Sequence, residues 1–483
     1  MAIRRLLKWS GIVLAGVVIL MAVGLLWYFW PEGPNLADSL AGAYRTPDNE
    51  LLILVVNGQD TVRVMAPRSG QTRTLFLTDV DRFESGDGWR SNEPVTLRGE
   101  VRRDRAGKVI ALTWQSEGGE EIEIERLPFR EREVYFSSGE LTLRGLLVLP
   151  EETDGPVPTQ VAVHGSGREQ AVYGYRLPYL AAAHGMAGFV FDKRGTGESE
   201  GSYSQNFPDL ARDVKAAVDF LRAQPEVDPT RIGLVGFSQG GWIAPMAAAQ
   251  GARVNTIVVN YGVARPVFDE DRWGYVWALR HEGFGDREIA EVDAINEIAS
   301  KIVDERRKDV YSELKAAVET ARDKPWFPAL QKSDSTVGYM TGTPVPLWAW
   351  EWFDKLVGFE VVFGSIDRLY DPETTIRGLG IPSLWLFAGD DSSAPTPWSV
   401  EVLEGLVAEG APIEYEVSPG LEHGMLVVED SPGQDREYLG YSPGYPLRYI
   451  RWLQQQNGML RGGRDGTEVA LEVGAALGAE NDP

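Results

Sequence analysis

The sequence predicts an α/β protein: a mostly parallel sheet with an inserted helical cap, preceded by a small β domain and an N-terminal transmembrane helix. Three observations carry this expectation. From about residue 132 onward, short apolar runs alternate with helical stretches, the pattern of a sheet covered on both faces. The alternation breaks once, for about 120 residues between Gly262 and Pro382, too long for a structureless loop inside a domain. Residues 9–30 form an unbroken apolar run.

That run, WSGIVLAGVVILMAVGLLWYFW, carries no charge between Lys8 and Glu32. At about 1.5 Å per residue it spans about 33 Å, enough for a hydrocarbon core of about 30 Å. Arg4, Arg5 and Lys8 precede it, and Glu32 and Asp38 follow. The positive-inside bias keeps the N-terminus cytoplasmic and exports the rest. The expectation is an uncleaved anchor over residues 1–31, with Trp27, Tyr28 and Trp30 at the outer interface and the later domains periplasmic or at the cell surface. A cleaved signal peptide is the alternative. Its apolar region is normally about 7–15 residues and ends at an A-x-A-like site, whereas Asn35-Leu36-Ala37 lacks the small first residue.

The chain of 483 residues has 47 Lys+Arg against 71 Asp+Glu, a net charge of −24, which argues against nucleic-acid partners. The absence of cysteine excludes a disulfide framework, a thiolate metal site and a cysteine nucleophile, and leaves the redox compartment open.

Residues 38–130 read as short strands with turn punctuation, a small β domain. An apolar run over 51–56 ends at the hairpin signal Asn57-Gly58, and 61–65 follows. Residues 132–460 form the α/β domain. It opens with an antiparallel pair near 134–136 and 141–149, then strands near 160–163, 188–191, 232–235, 255–260, 383–387 and 413–417. The cap occupies 263–380 and holds six of the 15 tryptophans. Most are expected in its own core, and one or two near Trp348 and Trp352 could line a pocket. Residues 461–483 read as an acidic, flexible tail.

Chemistry rests on G-x-S-x-G, and with 53 glycines chance alone gives about 0.3 such matches. The chain has three, at Ser199, Ser238 and Ser442. A nucleophile on a strand-to-helix elbow needs an apolar strand before it and a helix after it. Ser238 has both, in Arg231-Ile-Gly-Leu-Val-Gly-Phe-Ser-Gln-Gly-Gly241, while a polar loop follows Ser199 and Pro443 follows Ser442. A serine nucleophile needs a base oriented by an acid, in the chain order Ser, Asp or Glu, His. His423 is the only histidine after residue 281. Asp390 and Asp391 both follow the preceding strand, and spacing does not separate them. Backbone donors to an oxyanion are expected at Gln239 and in His164-Gly-Ser-Gly167, with Ser166 first and Gly167 second. His164 itself is expected to be structural.

By these residues the chain resembles the α/β-hydrolase superfamily, and within it the bacterial serine esterase and acyl-peptidase-like group. The motifs are His164-Gly-Ser-Gly167, Phe191-Asp-Lys-Arg-Gly-Thr-Gly-Glu-Ser199, the Ser238 elbow, residues 388–395 and Glu422-His-Gly424. The resemblance implies that the acid stands four residues before a proline, which selects Asp391 before Pro395, and that Arg194 is a structural hydrogen-bonder. It implies cleavage of a small acyl ester through an acyl-Ser238 intermediate with Asp391 and His423. Neither a metal nor an organic cofactor is expected, since no cluster has ligand spacing and no phosphate loop is present. The alternatives are an acyl-peptidase or thioesterase of the same fold, or a non-catalytic envelope binding protein. The large Trp-rich insertion departs from the family pattern.

Overall fold

The structure is a computed structural model in which residues 35–343, 345–357, 366–430 and 436–460 are described. The expected anchor and acidic tail lie outside the described residues, among which no helix is long and apolar enough to cross a membrane.

The β domain is a closed barrel of eight antiparallel strands, from Gly42–Arg45 to Glu121–Arg126, in sequential order. Pairing of Tyr44 with Arg126 and of Arg45 with Glu125 closes it. The strand Leu51–Val56 is apolar at every position because both its faces are covered. Leu52 and Leu54 fill the barrel, while Ile53 and Val55 pack against the α/β domain. A two-residue side-chain period thus serves two cores at once.

The α/β domain carries an eight-stranded sheet of β1 (Arg130–Ser138), β2 (Leu141–Leu149), β3 (Val157–Val163), β4 (Ala187–Phe191), β5 (Val227–Phe237), β6 (Thr256–Asn260), β7 (Ser383–Ala388) and β8 (Ile413–Ser418). Their spatial order is β8-β7-β6-β5-β3-β4-β2-β1. β3 to β8 run parallel, and β1 and β2 pair antiparallel at one edge. Residues of β4 and β6 are buried throughout, as a sheet covered on both faces requires. One face packs under the helices α1 (Leu177–Ala182) and Tyr445–Gln456, the other under Phe207–Arg222, Gly240–Ala249 and Thr396–Ala408. The carboxyl ends of β3, β5, β7 and β8 open on one side, where the strand order reverses, the usual place for a site in such a sheet.

Between β6 and β7 the chain forms the cap, a series of helices beginning with Val267–His281 and ending with Pro372–Arg377. It has its own core around Tyr275, Leu279, Val292, Leu314, Trp326 and Leu330. The cap tryptophans divide. Trp326 is buried, Trp273 and Trp350 pack against the cap core, and Trp348 and Trp352 are exposed. Arg368 is buried between Asp271 at 2.7 Å and Asp304 at 3.2 Å, tying the end of the cap to its start.

Candidate active site

Ser238 follows β5 directly, at φ +52°, a left-handed conformation rare for a residue with a side chain. The turn is made possible by its neighbours: a Cβ on Gly240 would lie 2.1 Å from the carbonyl oxygen of Val163 in β3. That close approach projects the serine from the sheet at the start of helix Gly240–Ala249.

His423 Nε2 lies 3.0 Å from Ser238 Oγ, and its Nδ1 lies 2.9 Å from Asp391 Oδ2. Asp391 is 1% exposed, and its Oδ1 accepts from the amides of Ser393 and Ala394 at 2.9 and 2.7 Å. Asp390 faces away, exposed, 3.9 Å from Arg436. The structure therefore joins Ser238, His423 and Asp391 in one hydrogen-bonded line and leaves Asp390 outside it. His423 sits in the turn of a three-stranded antiparallel sheet, Leu421–Glu422, Leu426–Glu429 and Glu437–Tyr441, which the sequence does not predict. The two-residue first strand is too short to show a period.

Burial pulls the imidazole pKa of His423 down, but Asp391, through charge and hydrogen bond, with Glu270 and Glu422 beyond it, outweighs burial and raises the pKa to about 9. Glu422 in turn accepts from Ser392 N at 3.1 Å and pairs with Arg436.

The loop after β3 passes over the serine: a Cβ on Gly165 would lie 3.4 Å from Ser238 Cβ. The amide of Gly165 is occupied by Tyr175 Oη at 3.1 Å. The amides of Gln239, Ser166 and Gly167 donate to no protein acceptor among the described residues, so the expected oxyanion donors are free. Lys193 Nζ donates to Gly165 O and, at 3.2 Å, to Gln239 Oε1, which binds the loop to the elbow. Burial pulls this ammonium down to about 8. Burial and then Lys193 hold His164 near 3, neutral, with its Nε2 donating to Phe191 O at 2.8 Å. Arg194 pairs with Asp213 at 2.7 Å. Ser199 Oγ donates to Asp192 O and accepts from Arg144 N. These three are structural.

A family model for X-Pro dipeptidyl-peptidase (the S15 peptidase family) matches residues 139–342, less than half the chain. The strand order, the Ser238 elbow and the matched segment resemble those of the α/β-hydrolase superfamily. Among curated proteins, this chain is 36% identical to the thiohydrolase aneE of Aspergillus aculeatus over 136 residues, 27% of this chain and 41% of that protein. It is 36% identical to YfhR of Salmonella typhi over 88 residues, 18% of this chain and 29% of that protein. The matches thus span less than half the length of either relative. Among solved structures, the acylaminoacyl peptidase of Pyrococcus horikoshii aligns with 86% of this chain and 58% of its own, at 16% identity and a TM-score of 0.43.

Sequence reasoning missed two groups that the chain brings to the site from the cap helix Val267–His281. Trp273 Nε1 donates to the backbone oxygen of Asp391 at 2.9 Å. Glu270, one turn earlier on the same face, lies within electrostatic reach of His423, Asp334, Asp271 and Asp391. Burial, opposed by His423 and reinforced by the three aspartates, raises its carboxyl to about 8. Nothing in the local sequence marks either residue, because the cap's path over the sheet decides what that helix face meets.

Proposed function

We propose that the protein is a serine hydrolase that cleaves a carboxyl ester through an acyl-Ser238 intermediate, with His423 as base and then acid and Asp391 as its orienting partner. The observation that carries the reading is the 3.0 Å approach of His423 Nε2 to Ser238 Oγ, with Asp391 on the other ring nitrogen. Attack by Oγ on the ester carbonyl passes its proton to Nε2. The oxyanion is held by the amides of Gln239 and Ser166, the alkoxide leaves with the proton from His423, and water repeats the sequence to release the acid. Esters are favoured over peptides because an alkoxide leaving group needs less protonation than an amine. No metal or organic cofactor enters this mechanism.

The S15 match favours a second reading, a peptidase using the same residues, and the aneE relative adds a thioester. A panel of p-nitrophenyl esters beside aminoacyl-p-nitroanilides and an acyl thioester decides among them. Anilides turning over faster than esters would make the protein a peptidase. A fluorophosphonate that fails to label Ser238 would indicate a binding protein on a hydrolase fold.

We further propose that residues 1–31 anchor the chain with its N-terminus cytoplasmic and the hydrolase domain outside, as the apolar run and its basic flank suggest. Protease shaving of spheroplasts tests it: the hydrolase domain is digested if exported and spared if cytoplasmic. A mature N-terminus near Asp38 would refute the anchor.

A further inference from the structure

Beside Tyr261, whose ring packs against the imidazole of His423, lies a cavity of about 180 Å³. It sits between the turn Gly174–Leu177, the ends of β5 and β6, and the last helix, Tyr445–Gln456. Phe237 and Tyr261 line it from the catalytic side, and the ring of Tyr261 stands edge-on to the imidazole of His423 at 5.0 Å.

The charge in this cavity is a single unneutralised guanidinium. Arg176 lines it, lies over the ring of Tyr441 at 4.1 Å and donates from one nitrogen to the hydroxyl of that tyrosine at 2.7 Å. Its electrostatic surroundings are Tyr441, Tyr261, Tyr449 and Tyr445, and among the described residues no carboxylate pairs with it. Burial raises the pKa of each of Tyr261, Tyr445 and Tyr449, so all three are neutral hydroxyls at physiological pH. Tyr445 donates to Asn260 at 2.9 Å, whereas the hydroxyls of Tyr261 and Tyr449 have no protein partner among the described residues, although Tyr449 is only 3% exposed. A planar cation and two unused hydroxyl donors therefore converge on one space.

The barrel reinforces the sign. Arg63 stacks on Trp89 at 4.4 Å, Trp89 packs against Tyr441 at 5.0 Å, and the buried Nε of Arg63 has no hydrogen-bond partner. Arg176 and Arg90 both lie within electrostatic reach of Arg63. Arg63 and Arg176 are half-buried, Arg90 is exposed, and none of the three has a carboxylate within ion-pair distance among the described residues. Arginine does not relieve partial burial by losing its proton, so a bound anion is the natural counter-charge for Arg176.

We infer that this cavity is an anion site for a small carboxylate or phosphate, held by the Arg176 guanidinium and the Tyr261 and Tyr449 hydroxyls. Its lining includes none of Ser238, Asp391 and His423, and the inference does not rest on the hydrolytic reading.

Thermal unfolding of the full chain at constant ionic strength, in graded acetate, succinate or inorganic phosphate against chloride, tests it by a readout that needs no turnover. The expected result is a saturable rise in Tm with at least one oxyanion. A response to acetate and succinate alone makes the ligand a carboxylate, and a response to phosphate alone makes it a phosphate. Arg176→Met is expected to abolish the saturable rise and Arg176→Lys to retain part of it. Should Arg176→Met fail to fold, Tyr449→Phe, which removes one donor and no charge, is expected to weaken the affinity about tenfold. Oxyanions indistinguishable from chloride would overturn the site. So would a saturable rise unchanged in Arg176→Met or in Tyr449→Phe.

Discussion

Two neighbourhoods of His423 differ in the sign of their charge. In the cap, Glu270 lies within electrostatic reach of Asp334, Asp271 and Asp391. Arg368 pairs with Asp271, and the imidazole of His423 is the cation that opposes the ionised form of Glu270. Beyond the Tyr261 ring, Arg176 stands among tyrosines with no carboxylate paired to it. Burial penalises both charges, yet the two groups answer differently. Glu270 takes up a proton, its pKa rising to about 8, and so becomes neutral near physiological pH. Arg176 has no such exit and spreads its charge over an aromatic face and a hydroxyl. A carboxyl shielded from water can therefore titrate, while a half-buried guanidinium without an acid keeps its charge, which is what the proposed anion would meet.

The largest expected effect concerns the line through His423. His423→Ala should lower kcat about ten-thousandfold to millionfold while thermal unfolding stays cooperative, because Ser238 loses its base. Asp391→Asn should cost about a thousandfold to ten-thousandfold in kcat/KM, and Asp390→Asn less than about threefold. The reverse ranking of these two variants would reject Asp391 as the partner of His423.

The cap neighbourhood is probed by pH. His423 acts as a base only when neutral, so kcat/KM should rise with pH along a limb set by its raised pKa, near 9. Glu270→Gln removes a group that raises that pKa. The imidazole pKa then falls and the limb moves to lower pH, by up to about one unit. A pH–rate profile in which the limb stays put or moves upward would show that Glu270 does not act on His423. The smallest effect is expected from Trp273→Phe, which removes the indole donor to Asp391 O. A loss of about two- to tenfold in kcat/KM should appear with little change in KM for a small ester, since the indole acts through the acid loop that it steadies.

Ser238 was legible in sequence because an elbow is a property of consecutive residues: an apolar strand, glycines at the turn, then a helix. The two competing G-x-S-x-G serines lack that order, and the structure shows Ser199 locked to the backbone of Asp192 and Arg144. His423 followed from chain order. The choice between Asp390 and Asp391 came from family resemblance, since adjacent residues share every local signal. Their difference is one of direction, inward to the imidazole for one and outward to solvent for the other.

The alternation of strands and helices, the interruption that became the cap and the place of the candidate nucleophile are written along the chain. They depend on periodicity and on turn chemistry over a few residues. The sign of the charge in each neighbourhood of the imidazole is not. Arg176 meets Tyr441 across 265 positions, and Glu270 reaches His423 from a helix inserted between β6 and β7. Which charges find partners depends on how distant segments pack, and a side chain's ionisation follows the surroundings that packing creates.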